Sequence, residues 1–385
     1  MSGKMNIGII GYGGFGQFLD NAWKDLRVAR VTAISDASKD IRIPPEYMFY
    51  NHPHDLFDDR SIDIVAIATP PSTHHEIACE ALRSGKHVFI EKPLAVNVAH
   101  GKEILGVARE CGKRVIVDFL MRYNPLIYSI FLLHNKGVLG TFRRFLVENY
   151  AQDELLPLSH WFWDRKISGG ILIEHAVHFI DIVHMLNRSG IAMVNGLMHS
   201  THESRENEVM ANILYEDGLI ATHYHAFTRP GIFEETMMRF VFDLATIELY
   251  GWIPLQGKMN LMTSQQHRKL LFTLPGLRIK SERELDDISD DSRPDGWGNL
   301  EESNNAGGER TISSGGVKYR IDRKLEVEFG NIGSKASIYS ECVRNVMMDF
   351  IKSIQDASYK SRINADDGLR SLQVADMVTK KIEPK

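Results

Sequence analysis

A chain of 385 residues is long enough for two domains, each with its own core. Its 43% hydrophobic and 25% charged residues exclude a disordered, collagenous or coiled-coil class. With 50 acidic against 45 basic side chains, a net charge of −5, no overall positive field exists to hold nucleic acid or an anionic membrane.

Cys79, Cys111 and Cys342 are too few and too widely spaced for a disulfide framework or a metal knuckle. No run reads as a signal segment or as the roughly 18 apolar residues of a membrane span. The expectation is a cytoplasmic protein with neither a membrane nor a nucleic acid as partner.

Along the chain, Ile7 to Ile10, Val31 to Ser35, Ile62 to Thr69, His87 to Ile90 and Val115 to Val117 are apolar, β-branched runs separated by helical patterns. Runs apolar at every position need cover on both faces, which predicts a parallel, doubly wound sheet between helix layers over residues 1–121. Thr73 with Glu76 has the spacing of a capping box, and Gly85 stands where that helix should stop.

From residue 122 to 385 the rhythm changes. A helix is predicted from Pro125 to Lys136, a strand from Thr141 to Tyr150, a Trp-rich loop, and a helix from about Gly170 to Leu186. Consecutive strand-like runs follow: Met193 to Ser200, Val209 to Tyr215, Leu219 to Phe227, Met238 to Phe242 and Thr246 to Gly251. They predict an α+β domain with a large, mostly antiparallel sheet. Residues 281–310 carry ten acids against three arginines and are expected to form a solvated, mobile excursion, although the basic stretch Gly257 to Lys280 is suited to lie against it. Two helical patterns, within about 337–381, close the chain.

Gly11-Tyr12-Gly13-Gly14-Phe15-Gly16 is a G-x-G-x-x-G that follows a strand and opens a helix. Bare backbone there lets a pyrophosphate approach the helix N-terminus. Asp36 ends the next strand, twenty residues after Gly16, where a carboxylate accepts from both hydroxyls of an adenosine ribose. That carboxylate would repel a 2′-phosphate, so NAD is expected, with NADP the lesser alternative because Lys39 is close by.

Ala68-Thr69-Pro70-Pro71-Ser72-Thr73-His74 and Gly85-Lys86-His87-Val88-Phe89-Ile90-Glu91-Lys92-Pro93-Leu94-Ala95 resemble the glucose-fructose oxidoreductase/inositol dehydrogenase/MocA family. The resemblance implies a Rossmann domain followed by an open-faced sheet. It implies that Glu91 and Lys92 stand beside the nicotinamide, that Thr69, Pro70 and His74 line the cofactor groove, and that Arg122 and Tyr123, at the entry to the second domain, face substrate. Gly169-Gly170-Ile171-Leu172-Ile173-Glu174-His175-Ala176-Val177-His178-Phe179-Ile180-Asp181 resembles the family's catalytic helix, with Glu174 in place of the usual aspartate and Ala176 in place of glycine. A homodimer or homotetramer, joined through the open face of the sheet, is also implied.

Oxidising a secondary alcohol needs a group to take the hydroxyl proton and an enclosure around the reacting carbon. Glu174, His178 and Asp181 fall at i, i+4 and i+7, one helix face, where the carboxylates would flank the imidazole and raise its basicity. His178, Lys92 and Glu174 are thus the candidate catalytic residues, with Lys92 as proton acceptor or as the cation that stabilises an alkoxide. Trp161 and Trp163 are suited to stack on a sugar ring, so Lys92, Arg122, Tyr123, Trp161, Trp163, Glu174, His178 and Asp181 make up the expected substrate site for a sugar, glycoside or cyclitol. His223 and His225 share one strand face and are expected on an exposed side of the sheet, not as metal ligands; no metal site is assigned. Two other functions remain open: glycoside cleavage through transient oxidation with recycled NAD, and a non-catalytic dinucleotide-binding regulator.

Overall fold

The computed structural model describes residues 4–38, 40–152, 156–157, 159–200, 206–285, 310–330 and 333–382. In the first domain β1 (Met5–Ile10), α1 (Gly14–Trp23), β2 (Ala29–Ser35), β3 (Met48–Tyr50), α2 (Pro53–Asp58), β4 (Ile64–Ile67), α3 (His74–Arg83), β5 (His87–Ile90), α4 (Val98–Glu110) and β6 (Val115–Val117) follow one another. Every strand pair is parallel, in the order β3-β2-β1-β4-β5-β6. Burial at all four positions of β4 agrees with a sheet covered on both faces. The strand order reverses between β1 and β4, so the crevice at their carboxyl ends is where this architecture binds ligands.

The capping box does not form. Thr73 Oγ1 donates to Pro70 O at 2.9 Å and pairs with Thr69 Oγ1 at 2.7 Å, so a short 3₁₀ turn uses the hydroxyl that would have capped α3. Gly85 does end that helix, with φ +81°.

In the second domain, α5 (Pro125–Asn135), β7 (Phe142–Gln152), α6 (Arg165–Ser168) and α7 (Val177–Leu186) lead into β8 (Ile191–His199), β9 (Glu208–Tyr215), β10 (Ile220–Arg229), β11 (Glu235–Phe242), β12 (Ala245–Tyr250) and β13 (Gln256–Thr263). After α8 (Gln265–Arg268) come β14 (Arg278–Glu284), the hairpin β15 (Arg310–Ser314) and β16 (Val317–Ile321), β17 (Arg323–Gly330), α9 (Lys335–Gln355) and α10 (Ala365–Ile382). Nine strands form one sheet in the order β14-β17-β13-β12-β11-β7-β10-β9-β8, antiparallel except where β10 runs parallel to β7.

Part of the expected excursion is strand. Ser281 to Glu284 belong to β14 and pair with β17, and Glu282 accepts from Arg268 and Arg323 at 2.7–2.8 Å, so acid and base do meet here. Residues 286–309 lie outside the described residues. The closing helices touch both domains: α10 packs on β8 and α7, while Trp23 Nε1 of α1 reaches Val343 O of α9 at 3.5 Å and Arg344 Nε donates to Ala22 O at 3.1 Å. Residues 335–382 therefore bind the two domains to each other.

The span Arg165–Leu186 is long and apolar enough to cross a membrane by length and composition, contrary to the sequence-based expectation that no stretch is. Its most apolar 18-residue stretch is 94% buried, as in a core helix of the second domain. His223 and His225 are fully buried on the sheet face toward this helix, so the exposed placement expected for them is wrong.

Candidate active site

A cavity of about 810 Å³ runs from the ends of β1 and β2 to the start of α7, within the usual range of small-molecule sites. One end is phosphate-ready in its backbone. Gly11 has φ +88°, and a Cβ there would sit 2.7 Å from Ala68 O. Around Gly13 and Gly14 an added Cβ would enter open space, and no side chain caps α1, so its first amides are left to a ligand. Gly16 does not line the cavity; its Cβ would fall 2.0 Å from Gly11 O, so its role is to let α1 pack on the turn.

Asp36 lines the same end, held by the amides of Tyr12 and Ser38, which donate at 2.6 and 2.7 Å. Each carboxylate oxygen keeps a further lone pair for ribose hydroxyls. These features fit a dinucleotide. Lys39 lies outside the described residues.

Thr69 and Pro70 form the middle wall. His74 is buried behind them, its ring nitrogens 2.8 Å from Pro93 O and 2.9 Å from Thr69 O, so it ties the β4 turn to the β5 turn. Burial pushes this imidazole's pKa below the ordinary histidine value.

At the far end, Lys92 Nζ donates to Glu174 O at 2.9 Å and pairs with the Glu174 carboxylate. Gly169 and Gly170, at φ +84° and +92°, turn the chain sharply before the helix, and Glu206 accepts from Ile171 N at 3.0 Å there. A π-helical turn over Leu172–Ala176 then aims Glu174 at Lys92. His178 is buried, 2% exposed, with Nδ1 unpartnered and Trp252 edge-on at 5.2 Å. Its pKa is lowered well below the ordinary value, first by burial and then by the Lys92 charge. The expected gain in basicity is therefore reversed: burial dominates, and Glu174 pairs with Lys92 instead of the imidazole.

Behind Lys92, Glu91 and Asp118 form a fully buried carboxyl pair. Neither Asp118 oxygen, nor Oε1 of Glu91, accepts from a donor elsewhere among the described residues. Burial, and then the pair's mutual repulsion for Glu91, push both acids upward.

Residues 5–119 match the oxidoreductase family with the NAD-binding Rossmann fold, and residues 133–248 match the GFO/IDH/MocA C-terminal domain. The chain belongs to the Gfo/Idh/MocA family. It is 30% identical to the scyllo-inositol 2-dehydrogenase (NAD⁺) of Bacillus subtilis over 144 residues, 37% of this chain and 41% of that protein. It is 26% identical to the myo-inositol 2-dehydrogenase of Thermotoga maritima over 187 residues, 47% and 54% of the two chains. The chain thus spans about half the length of these curated relatives. The fold matches that of biliverdin reductase from Synechocystis, solved with biliverdin and NADP⁺, at a TM-score of 0.66, 17% identity and 98–99% coverage of both chains.

Not every residue that the Gfo/Idh/MocA resemblance implied comes to the cavity. Arg122 is 1% exposed, donating from Nε and Nη2 to Asp181 at 2.7 Å and from Nη1 to Asp367 at 2.9 Å. Tyr123 gives its hydroxyl to Asp349. These contacts place Arg122, Tyr123 and Asp181 in the buried seam that fastens the closing helices, outside the cavity lining. The Trp-rich loop divides: Trp161 and His160 line the cavity, whereas Trp163 packs edge-on against Phe162 and Phe227 and donates to Leu156 O at 3.1 Å. Trp252 and Tyr339, which line the cavity with their rings 5.5 Å apart and tilted at 51°, come from a turn after β12 and from α9. No local motif marks them, and only the amphipathic period of α9 points Tyr339 inward.

Proposed function

We propose that the protein transfers hydride between NAD and a ring secondary hydroxyl of a sugar, sugar derivative or cyclitol. The observation that carries this reading is the Lys92–Glu174 pair beside His178, at the opposite end of one cavity from the glycine turn and Asp36. When bound, NAD supplies the hydride acceptor. As the free amine, Lys92 would take the proton of the substrate hydroxyl and become the ammonium as the C–H bond breaks, with Glu174 fixing the Nζ position. The neutral imidazole of His178 would accept a hydrogen bond from a neighbouring hydroxyl and orient the ring, while Trp161 and Trp252 exclude water from the reacting carbon. The Asp36 carboxylate, which accepts from the amides of Tyr12 and Ser38 and would repel a 2′-phosphate, favours NAD over NADP. The inositol dehydrogenase names of the curated relatives support a polyhydroxylated ring as substrate.

Self-association through the open sheet face is part of the proposal. Met193 and Ile220 both pair in register with Leu214, forming an apolar row on that face, with Leu197 exposed beside it.

The test is incubation of the protein with NAD and a panel of sugars, sugar acids, cyclitols and glycosides, following reduced nicotinamide and product masses beside a Lys92→Ala control. NADH formation that the control lacks supports the proposal. Glycoside cleavage without NADH, or tight NAD binding without turnover of any panel member, overturns it.

A further inference from the structure

Away from the cavity, α3 and α4 bring three chemically distinct metal-ligating side chains together. His75 and Cys79 lie one turn apart on α3, and Glu103 faces them from α4; one donor atom of each lies within 4.8 Å of the other two. His75 Nε2 and Glu103 Oε2 are 2.9 Å apart. The His75 ring is held in its plane by His100, stacked at 4.1 Å and 10°, and the second oxygen of Glu103 is 3.8 Å from Arg83 Nη2. This is the one group of three His, Cys or acidic donors at such spacing among the described residues.

We propose that His75, Cys79 and Glu103 bind a borderline-soft divalent cation of the zinc class, which fastens α3 to α4. A thiolate and an imidazole select such an ion over calcium or magnesium, whose sites are built from oxygen. A tetrahedral zinc site holds its donors about 3.3–3.7 Å apart, so the wider separations close by about 1 Å and the 2.9 Å His75–Glu103 pair opens slightly. Glu103 allows this, because its side chain is 51% exposed and free to swing, and its exposure leaves an entry path. Water takes the fourth position. Cys79 binds as the thiolate, so its proton is released to solvent.

The location gives the site a consequence. α3 begins at His74, the residue next to His75 and the one whose ring ties Thr69 O to Pro93 O along the cofactor wall. A cation joining α3 to α4 would stiffen that wall without touching the cavity.

The experiment uses Co²⁺ as a spectroscopic probe on the full-length, phosphine-reduced protein, followed by Zn²⁺ displacement. The expected result is one Co²⁺ per chain, with a thiolate-to-cobalt charge-transfer band and tetrahedral visible bands that Zn²⁺ removes. Cys79→Ser should abolish the charge-transfer band, His75→Ala and Glu103→Gln should each weaken Co²⁺ binding at least tenfold, and Cys111→Ser should leave it intact. His75 and Glu103 are partly exposed, so their variants keep the test independent of any folding defect in Cys79→Ser. Absence of the band overturns the proposal, as does a band that survives in Cys79→Ser or an affinity unchanged in both His75→Ala and Glu103→Gln.

Discussion

Lys92 and Glu174, 82 residues apart, meet twice: the ammonium donates to the backbone carbonyl of Glu174 and pairs with its carboxylate. The end of β5 and the π-turn before α7 are thereby one unit, although they belong to different domains. The carbonyl contact depends only on the backbone path, so it survives a change of the Glu174 side chain. This separates the two halves of the pair experimentally.

Lys92→Ala is expected to lower turnover at least about a hundredfold if the lysine serves in acid–base chemistry. Glu174→Gln keeps the side-chain length and the carbonyl contact but removes the charge-assisted bond, of about 1.5–3 kcal/mol, for a loss of about ten- to a hundredfold in kcat. Steady-state kinetics with NAD Kd measured separately check both, since neither change touches the ribose or phosphate end of the cavity. Unchanged kcat in Lys92→Ala removes the lysine from the mechanism.

Cofactor choice is tested at the other end. Asp36→Ser removes the carboxylate that would face the adenosine ribose in the proposed NAD complex, so NAD should bind about tenfold more weakly and NADP should gain. The ratio of the two dissociation constants, measured by fluorescence titration, is the readout. A wild-type protein that binds NADPH more tightly than NADH would contradict the assignment of NAD.

Legibility in the sequence followed the range of each physical signal. Strands β5 and β6 were readable to the residue, because an apolar run buried on both faces has no other use. The cofactor turn was readable since Gly11 is needed for its backbone angle and Gly16 for close packing. β13 and β17 were not, because Lys258, Asn260, Lys324 and Glu326 on the outward face hid the period-2 burial of Met259, Leu261, Leu325 and Val327. In the site, Lys92, Glu174 and His178 stood in motifs, but the partner of Glu174 is a tertiary fact. Helical spacing put Asp181 beside His178, whereas Arg122 draws that carboxylate into the seam. Asp118, at the end of β6, had no signal except its place after an apolar strand.

The seam makes a prediction that distinguishes structure from substrate binding. Arg122→Ala leaves Asp181 buried without its guanidinium and Asp367 with Arg188 alone, a loss of about 3–5 kcal/mol for breaking a buried ion pair. The melting temperature should fall sharply, while KM for the ring substrate in the surviving folded fraction stays near the wild-type value. A KM defect without a stability loss would return Arg122 to the substrate site.

Acid should unfold this protein early, and the sign follows from its buried imidazoles. His74, His178, His184, His223 and His225 are buried and His175 is half-buried, and burial lowers the pKa of each. Above the unfolded-state value of about 6.5 both states are neutral and nothing is lost. As pH falls below it the unfolded chain takes up protons that the folded chain refuses, so stability declines toward the depressed folded values, by up to about 1.4 kcal/mol per histidine per pH unit. Glu91, Asp118 and Asp181 act in the opposite sense, because their raised values let the folded state hold protons that the unfolded chain releases. Three such carboxyls offset at most half of six histidines, and a net loss remains between about pH 6 and 5. Melting temperatures recorded across that window should drop steeply, and His223→Phe combined with His225→Phe should flatten the drop. A melting temperature independent of pH there would mean that these imidazoles find proton partners inside the fold.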